Sequence, residues 1–207
     1  MSKIIIFGAG GRAGRTAVAE ARRRGHEITA VVRDPAAHAA LATDGVLVVA
    51  GDVTDAATVA QLTKGHDAAI NAAANVQAQP GVFFSEAAHA LLAAGVDRLV
   101  SVGLASALET SAGTLLMDTP GYPQEYRAFS LGHAAGTDVL RAATGEPDWL
   151  VISPAGDFDH GGTRTGRYRI AAADAASRIS YADFAIALLD EIDDPHHHRI
   201  HLGVEQA

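Results

Sequence analysis

The chain has 207 residues, 48% of them hydrophobic and 19% charged, a globular composition with no signature of disorder. Sixteen lysines and arginines against 24 acids give a net charge of −8 with no basic block, which speaks against nucleic acid or an anionic membrane surface as a partner. The absence of cysteine excludes disulfides, thiolate catalysis and cysteine-ligated zinc and suits a cytoplasmic protein; no apolar run reaches the length of a membrane span, and Ile4-Ile5-Ile6-Phe7 meets Gly8 too early to form a signal-peptide core.

Lys3 to Phe7 reads as a buried strand, and Arg12 to Arg24 as a helix closed by Gly25. Further strands are expected at Glu27–Val32, Val46–Val49, Ala68–Ala72 and Arg98–Val102. Helical stretches lie between them near Ala36–Ala42, Ala56–Leu62 and Phe83–Ala94, the last followed by Gly95 as a C-cap. After Val102 the rhythm breaks into a long loop over 103–125, rich in Gly, Ser, Thr and Pro, of the kind that usually carries function. A helix from Gln124 to Ala143, a strand at Trp149–Ser153, a glycine-rich stretch from Pro154 to Tyr168, a helix at Tyr181–Ile192 and a strand at Ile200–Val204 complete the chain. Strands alternating with helices mean right-handed crossovers. The expectation is an α/β fold, a Rossmann-type doubly wound parallel sheet in one domain over 1–207. A small C-terminal substrate lobe would come from about 103–125 and 154–180.

Gly8-Ala9-Gly10-Gly11-Arg12-Ala13-Gly14 leaves the first strand and opens the first helix. Glycines at Gly8, Gly11 and Gly14 allow a sharp turn, a close backbone approach to a diphosphate, and tight packing of helix on sheet. The helix N-terminus adds N–H groups and the positive end of its dipole. These contexts, strand before and helix after, point to a bound dinucleotide. Arg33 ends the second strand, where an NAD-selective domain usually carries an acid for the ribose 2′-hydroxyl. A guanidinium suits a 2′-phosphate, with Arg12 as a second positive charge, so NADPH is expected; the adjacent Asp34 leaves NADH open. Asp52 either accepts from the adenine amino group or caps the next helix, and Val53 packs on the ring. Ala73 and Ala74, with Asn71 and Ala72, are small enough for backbone to run beside the ribose and diphosphate.

On the substrate side, Ser106 either bonds an acceptor carbonyl or its own backbone. The loop carrying Asp159 to Tyr168 is expected over the pocket, with Arg164 meeting an anionic group and Tyr168 covering an aromatic ring; a solvated loop is the alternative. Tyr126 is placed with the substrate at the head of its helix. Three consecutive histidines, His196-His197-His198, cannot all face one point, so a solvated loop is expected there and no metal.

The N-terminal residues Ile4 to Gly14, Arg24 to Arg33 and Gly51-Asp52-Val53 resemble the atypical short-chain dehydrogenase/reductase family with NAD(P)H-binding domains. Three C-terminal stretches, Asp148 to Pro154, Arg164-Thr165-Gly166-Arg167-Tyr168 and Ile179 to Ala185, are similar to the proteins called NADH-flavin reductases and to biliverdin reductase B, an NADPH-dependent flavin reductase. The wider family uses a Tyr-x-x-x-Lys pair and a serine for acid–base work. With Asp138-Val139-Leu140-Arg141 as anchor, the Lys position falls on His133, the Tyr position on Phe129 and the Ser position near Leu104. All three groups are missing. Neither Tyr122 nor Tyr126 has a lysine four residues on. The resemblance implies a small histidine-bearing site in which His133 bonds the substrate or shuttles a proton, the alternative being a helix histidine bonded to a carbonyl.

Alcohol or sugar chemistry needs a proton moved at oxygen, whereas a flavin or quinone is its own electron sink and needs chiefly stacking and closeness. The reading is therefore an NADPH-dependent reductase acting on a small flavin or flavin-like molecule, the flavin being substrate rather than a tightly held cofactor, in a monomer or homodimer. The missing pair fits equally a dinucleotide-binding redox sensor without turnover, as in relatives resembling the NmrA regulator, or a reductase of a quinone or specialised metabolite.

Overall fold

The computed structural model describes residues 1–145 and 147–207. At its centre is strand β1 (Lys3–Phe7), whose Ile4, Ile5, Ile6 and Phe7 are essentially inaccessible because the sheet is covered on both faces. The period of two sends Ile4 and Ile6 to one face, against Ala17, Val18, Phe184 and Leu188, and Ile5 and Phe7 to the other, against Val59, Phe84, Leu91 and Trp149. Two cores therefore grow from one strand.

Helix α1 (Arg12–Arg23) is followed by β2 (Glu27–Val32), a 3₁₀ stretch (Ala36–Leu41), β3 (Val46–Ala50), α2 (Ala56–Leu62), β4 (Ala68–Asn71), α3 (Pro80–Leu92) and β5 (Arg98–Val102). Three short 3₁₀ turns then lead into α4 (Arg127–Ala142), β6 (Asp148–Pro154), β7 (Asp157–Asp159), β8 (Tyr168–Ala171), β9 (Arg178–Ser180), α5 (Tyr181–Asp193) and β10 (Ile200–Gln206). The main sheet has eight strands in the order β3-β2-β1-β4-β5-β6-β10-β8. Its pairings are parallel except for β8, which runs antiparallel to β10 with Val204 opposite Ile170. Strand order reverses between β1 and β4, which opens a crevice at their carboxyl ends.

Several expectations change. The stretch at 36–41 is 3₁₀ and kinked at His38 rather than α-helical. Helix α3 starts at Pro80, three residues before Phe83, because proline is tolerated at the first helical position, where no N–H is needed. The glycine-rich segment after Pro154 is partly sheet: β7 and β9 pair in parallel, with Phe158 opposite Ile179. The three histidines do lie in a loop with His196 and His198 exposed, as expected, but each also meets an acid. His197 Nδ1 lies 2.5 Å from Glu191, His198 Nδ1 2.7 Å from Asp148, and His196 Nε2 3.3 Å from Asp194. The first two acids also flank the buried Arg98 guanidinium, at 3.0 and 2.6 Å, so this turn is pinned to the bottom of the sheet.

The C-terminal lobe hangs from a buried carboxylate. Asp183, wholly inaccessible in the first turn of α5, accepts from Thr165 N (2.9 Å), Gly166 N (2.9 Å) and Thr165 Oγ1 (2.8 Å). Ser180 caps the same helix by accepting from Asp183 N at 3.0 Å. Gly166 has φ +85°, a conformation that glycine adopts without steric cost. Two sequence motifs far apart in the chain are thus the halves of one anchor. Asp183→Ala strands two amides and a hydroxyl; the expected loss is about 3 kcal/mol of unfolding free energy in urea titrations, against little change for the exposed Asp138→Ala.

Candidate functional site

The crevice at the strand ends is a cavity of about 700 Å³. Its floor is the turn from β1 into α1. Gly8 has φ +74°, and a Cβ there would fall 2.5 Å from the Cα and N of Ala73 at the end of β4. A Cβ on Gly14 would stand 2.2 Å from the Gly8 carbonyl oxygen and 2.8 Å from Ala9 Cα. Gly8 thus makes the turn, and Gly14 packs helix on strand without reaching the cavity. Gly10 is covered by the His38 ring, 2.5 Å from where its Cβ would be, while Gly11 has room for a side chain.

Gly11 is the N-cap of α1 and supplies no capping side chain. Its own N–H is taken by the Gly8 carbonyl at 3.0 Å. Among the described residues the N–H groups of Arg12 and Ala13 have no acceptor, and both residues line the cavity. The set of free amides facing the cavity is therefore narrower than the whole glycine run.

At one end of the cavity lie Arg33, His38, Asp52 and Val53. Arg33 is exposed and makes no ion pair with any described residue. Asp34 is turned away: its Oδ1 accepts from Ala36 N (3.0 Å) and Ala37 N (3.3 Å). Asp52 does not cap α2, because Asp55 does, accepting from Ala57 N and Thr58 N at 3.0 and 3.2 Å. Asp52 Oδ1 holds Thr54 through its N (3.0 Å) and Oγ1 (2.8 Å), and its second oxygen bonds no described residue. Val53 is buried in the wall. Ala73 and Ala74 line the middle, with Ala73 N bonded to Asn71 Oδ1 at 3.1 Å.

The other end is formed by Val102, Gly103, Phe129, His133, Phe158 and Tyr181. Phe129 and His133, the positions of the family's Tyr and Lys, do face the cavity from adjacent turns of α4. Helix α3 comes close because α4 carries Gly132 and Gly136, where added Cβ atoms would sit 2.4 Å from Pro80 Cβ and 2.9 Å from Phe84 Cβ. That approach lays Phe84 on the imidazole, with ring centroids 3.7 Å apart, and Phe129 meets it edge-on at 5.0 Å. Burial among these rings pushes His133 down to about 4. At neutral pH it is an uncharged hydrogen-bonding group and not the near-neutral proton shuttle that the sequence suggests.

Four expected substrate contacts lie elsewhere. Ser106 is fully buried in the 3₁₀ turn after β5, off the cavity wall, with no hydrogen-bond partner even in its own backbone. Tyr126 is 62% exposed and faces solvent. Arg164 reaches Glu20 of α1 at 3.4 Å, joining Arg23 and Arg24 around a carboxylate that Arg23 above all holds down at about 2. Tyr168 donates to Asp190 of α5 at 3.0 Å, and burial pushes its phenol well up. Both bind the lobe to the α1–α5 layer, and neither lines the cavity. The loop does reach the site, but through other residues: Phe158, and His160, whose Nδ1 accepts from Arg12 Nη1 at 2.6 Å. Phe158 sat inside Asp157-Phe158-Asp159, where the single ring between two acids was the available signal.

The sequence pattern of the NAD(P)H-binding family matches residues 8–195. The uncharacterized protein YwnB of Bacillus subtilis is 37% identical, the alignment covering 94% of each chain. A provisionally named NADH-flavin reductase from Streptococcus pneumoniae is 29% identical and superposes with a TM-score of 0.86 over 100% of both chains. A provisionally named epimerase from Bacteroides thetaiotaomicron is 31% identical, with a TM-score of 0.87 over 99% of this chain and 97% of its own. No described helix is long and apolar enough to cross a membrane.

The His133 environment makes a pH prediction. Its folded value, about 4, lies below the unfolded value of 6.5, so the unfolded chain binds the extra proton first. Stability is lost as pH falls from about 6.5 towards 4, and His201, pushed by burial to about 3, adds in the same direction. In denaturant titrations, His133→Leu is expected to reduce the drop between about pH 7 and pH 5 by on the order of 1 kcal/mol. Imidazole NMR shifts of the native protein should show this ring uncharged at about pH 6.

Proposed function

The chain belongs to the NAD(P)H-binding family, and from that premise we propose that it is an NADPH-dependent reductase of a flavin or flavin-like acceptor. The observation that carries this reading is the cavity's division of labour. One end offers two uncapped helix amides and a free guanidinium; the other is an aromatic wall with no charged acid–base pair. The turn fits a dinucleotide diphosphate, since a Cβ at Gly8 or Gly14 would push apart the backbones of β1, β4 and α1 that set the free amides at the cavity floor. Arg12 and Ala13 N–H groups would hold the phosphates, Asp52 and Val53 the adenine, and Ala73 and Ala74 the nearby ribose.

NADPH is preferred over NADH because the acid that would receive a 2′-hydroxyl is occupied. Asp34 Oδ1 holds the amides of Ala36 and Ala37, whereas Arg33 beside it makes no ion pair among the described residues. A bound nicotinamide supplies a hydride. The chain's contribution at that end is to stack, orient and exclude water, because Phe129 and an uncharged His133 provide no strong general acid. Sugar epimerisation or ketone reduction asks more of these residues than they have. An acceptor that delocalises the incoming charge and takes its proton from solvent does not. The acceptor would be a small molecule held between the strand ends and the lobe of 103–125 and 154–180, within one domain and in the cytoplasm, where reduced dinucleotide is maintained.

Two measurements test the reading. NADPH oxidation, followed by absorbance, is expected with FMN, riboflavin or a simple quinone as acceptor; tight dinucleotide binding with none of them turned over would replace the enzyme by a redox sensor. In calorimetry, Arg33→Ala should weaken NADPH by about 1–3 kcal/mol and leave NADH nearly unchanged. Equal losses for both nucleotides would remove the NADPH preference.

A further inference from the structure

Tyr181 is the first residue of α5, and it directly follows Ser180, which both ends β9 and caps the helix. Its ring stacks face to face on Phe158, centroids 4.0 Å apart and planes within 10°. Phe158 is braced in turn by the edge of buried Phe184, at 5.0 Å and 83°. His160 tilts over the tyrosine ring at 5.7 Å while its Nδ1 is bonded to Arg12. Such a ring has almost no freedom left. Yet its phenol bonds no described residue, although Tyr168, in the same lobe, is bonded to Asp190. The residue is half-buried and lines the cavity, and its oxygen is not enclosed, so a ligand there can take the O–H.

The rest of this wall is Phe129, Phe158 and Val102, with uncharged His133 as the other donor. Arg164 of this lobe is turned to Glu20, and Arg12, which lines the cavity, is held by His160. We propose that Tyr181 donates a hydrogen bond to a carbonyl or ring-nitrogen edge of the acceptor, so that the acceptor is recognised as an uncharged planar conjugated ring and not through an anionic tail. This rests on the reductase reading and narrows its substrate class. As charge enters such a ring it collects on the conjugated heteroatoms, so a fixed O–H aimed there bonds more strongly as reduction proceeds.

The test uses flavin fluorescence quenching on full-length protein saturated with NADP⁺, which binds without turnover. Riboflavin and FMN are expected to bind within about twofold of each other. Tyr181→Phe keeps the stack and should weaken both about fivefold to tenfold, with NADPH affinity by calorimetry and the melting temperature unchanged. The simple quinone menadione should displace riboflavin from the wild-type protein. FMN binding more than about tenfold tighter than riboflavin, undiminished binding by Tyr181→Phe, or no quenching by the wild type would each overturn the assignment. Loss of the reductase reading looks different: Tyr181-dependent binding would persist with no NADPH consumed.

Discussion

Everything in this molecule depends on two backbones passing closer than a methyl group allows. At the carboxyl end of β1 the chain turns at Gly8 directly against Ala73 of β4, and returns as α1 with Gly14 lying on the Gly8 carbonyl. The strand order reverses there, so there is no neighbouring crossover to cover the gap. Because Gly11 caps nothing, the first amides of α1 open into that gap. One steric condition thereby produces both the tight core below the turn, through Ile4 and Ile6, and the floor of free amides above it.

The second half of the chain is organised by charge. Glu20 and Arg24 of α1, Asp190 and Asp193 of α5, and Arg164 and Tyr168 of the intervening lobe form one continuous polar seam. Ion pairs of this partly buried kind specify which groups meet more than they add stability. Together with the Asp183 anchor, the seam fixes where β7 and β9 lie, and hence where Phe158 and Tyr181 point. The lobe's polar side chains hold it in place; its aromatic ones face the cavity.

That division explains what the sequence disclosed. Runs of four or more apolar residues, such as Ile4 to Phe7 or Trp149 to Ile152, identify strands buried on both faces, and the glycine spacing locates the turn at the cavity floor from local rules alone. Arg33, Asp52 and Val53 follow because the ends of consecutive parallel strands must line the same crevice. The lobe obeys no such rule. Three-residue strands like Asp157–Asp159 are too short to show a period, and a polar residue on a glycine-rich loop looks the same whether it faces a ligand or a helix. Arg164 and Tyr168 have acidic partners on α1 and α5, 144 and 22 residues away in sequence, which only the fold brings near. Asp52 was ambiguous for a smaller reason: it precedes α2 by four residues, and Asp55, three residues further on, takes the cap.

The same packing that shapes α4 also restricts its chemistry. Gly132 and Gly136 remove two side chains from the face that meets α3, and the helices close until Phe84 covers the imidazole of His133. A lysine at that position would have to bury its ammonium against two aromatic rings with no carboxylate among the described neighbours. A tyrosine at Phe129 would lack the cation that makes a phenol useful at neutral pH. Loss of the acid–base pair and close approach of the helices are therefore one adaptation. With proton transfer so weakened, the features left to discriminate among acceptors are shape, π-surface and a few uncharged donors. Under the proposed reductase reading, those favour molecules whose own conjugation absorbs the charge of reduction.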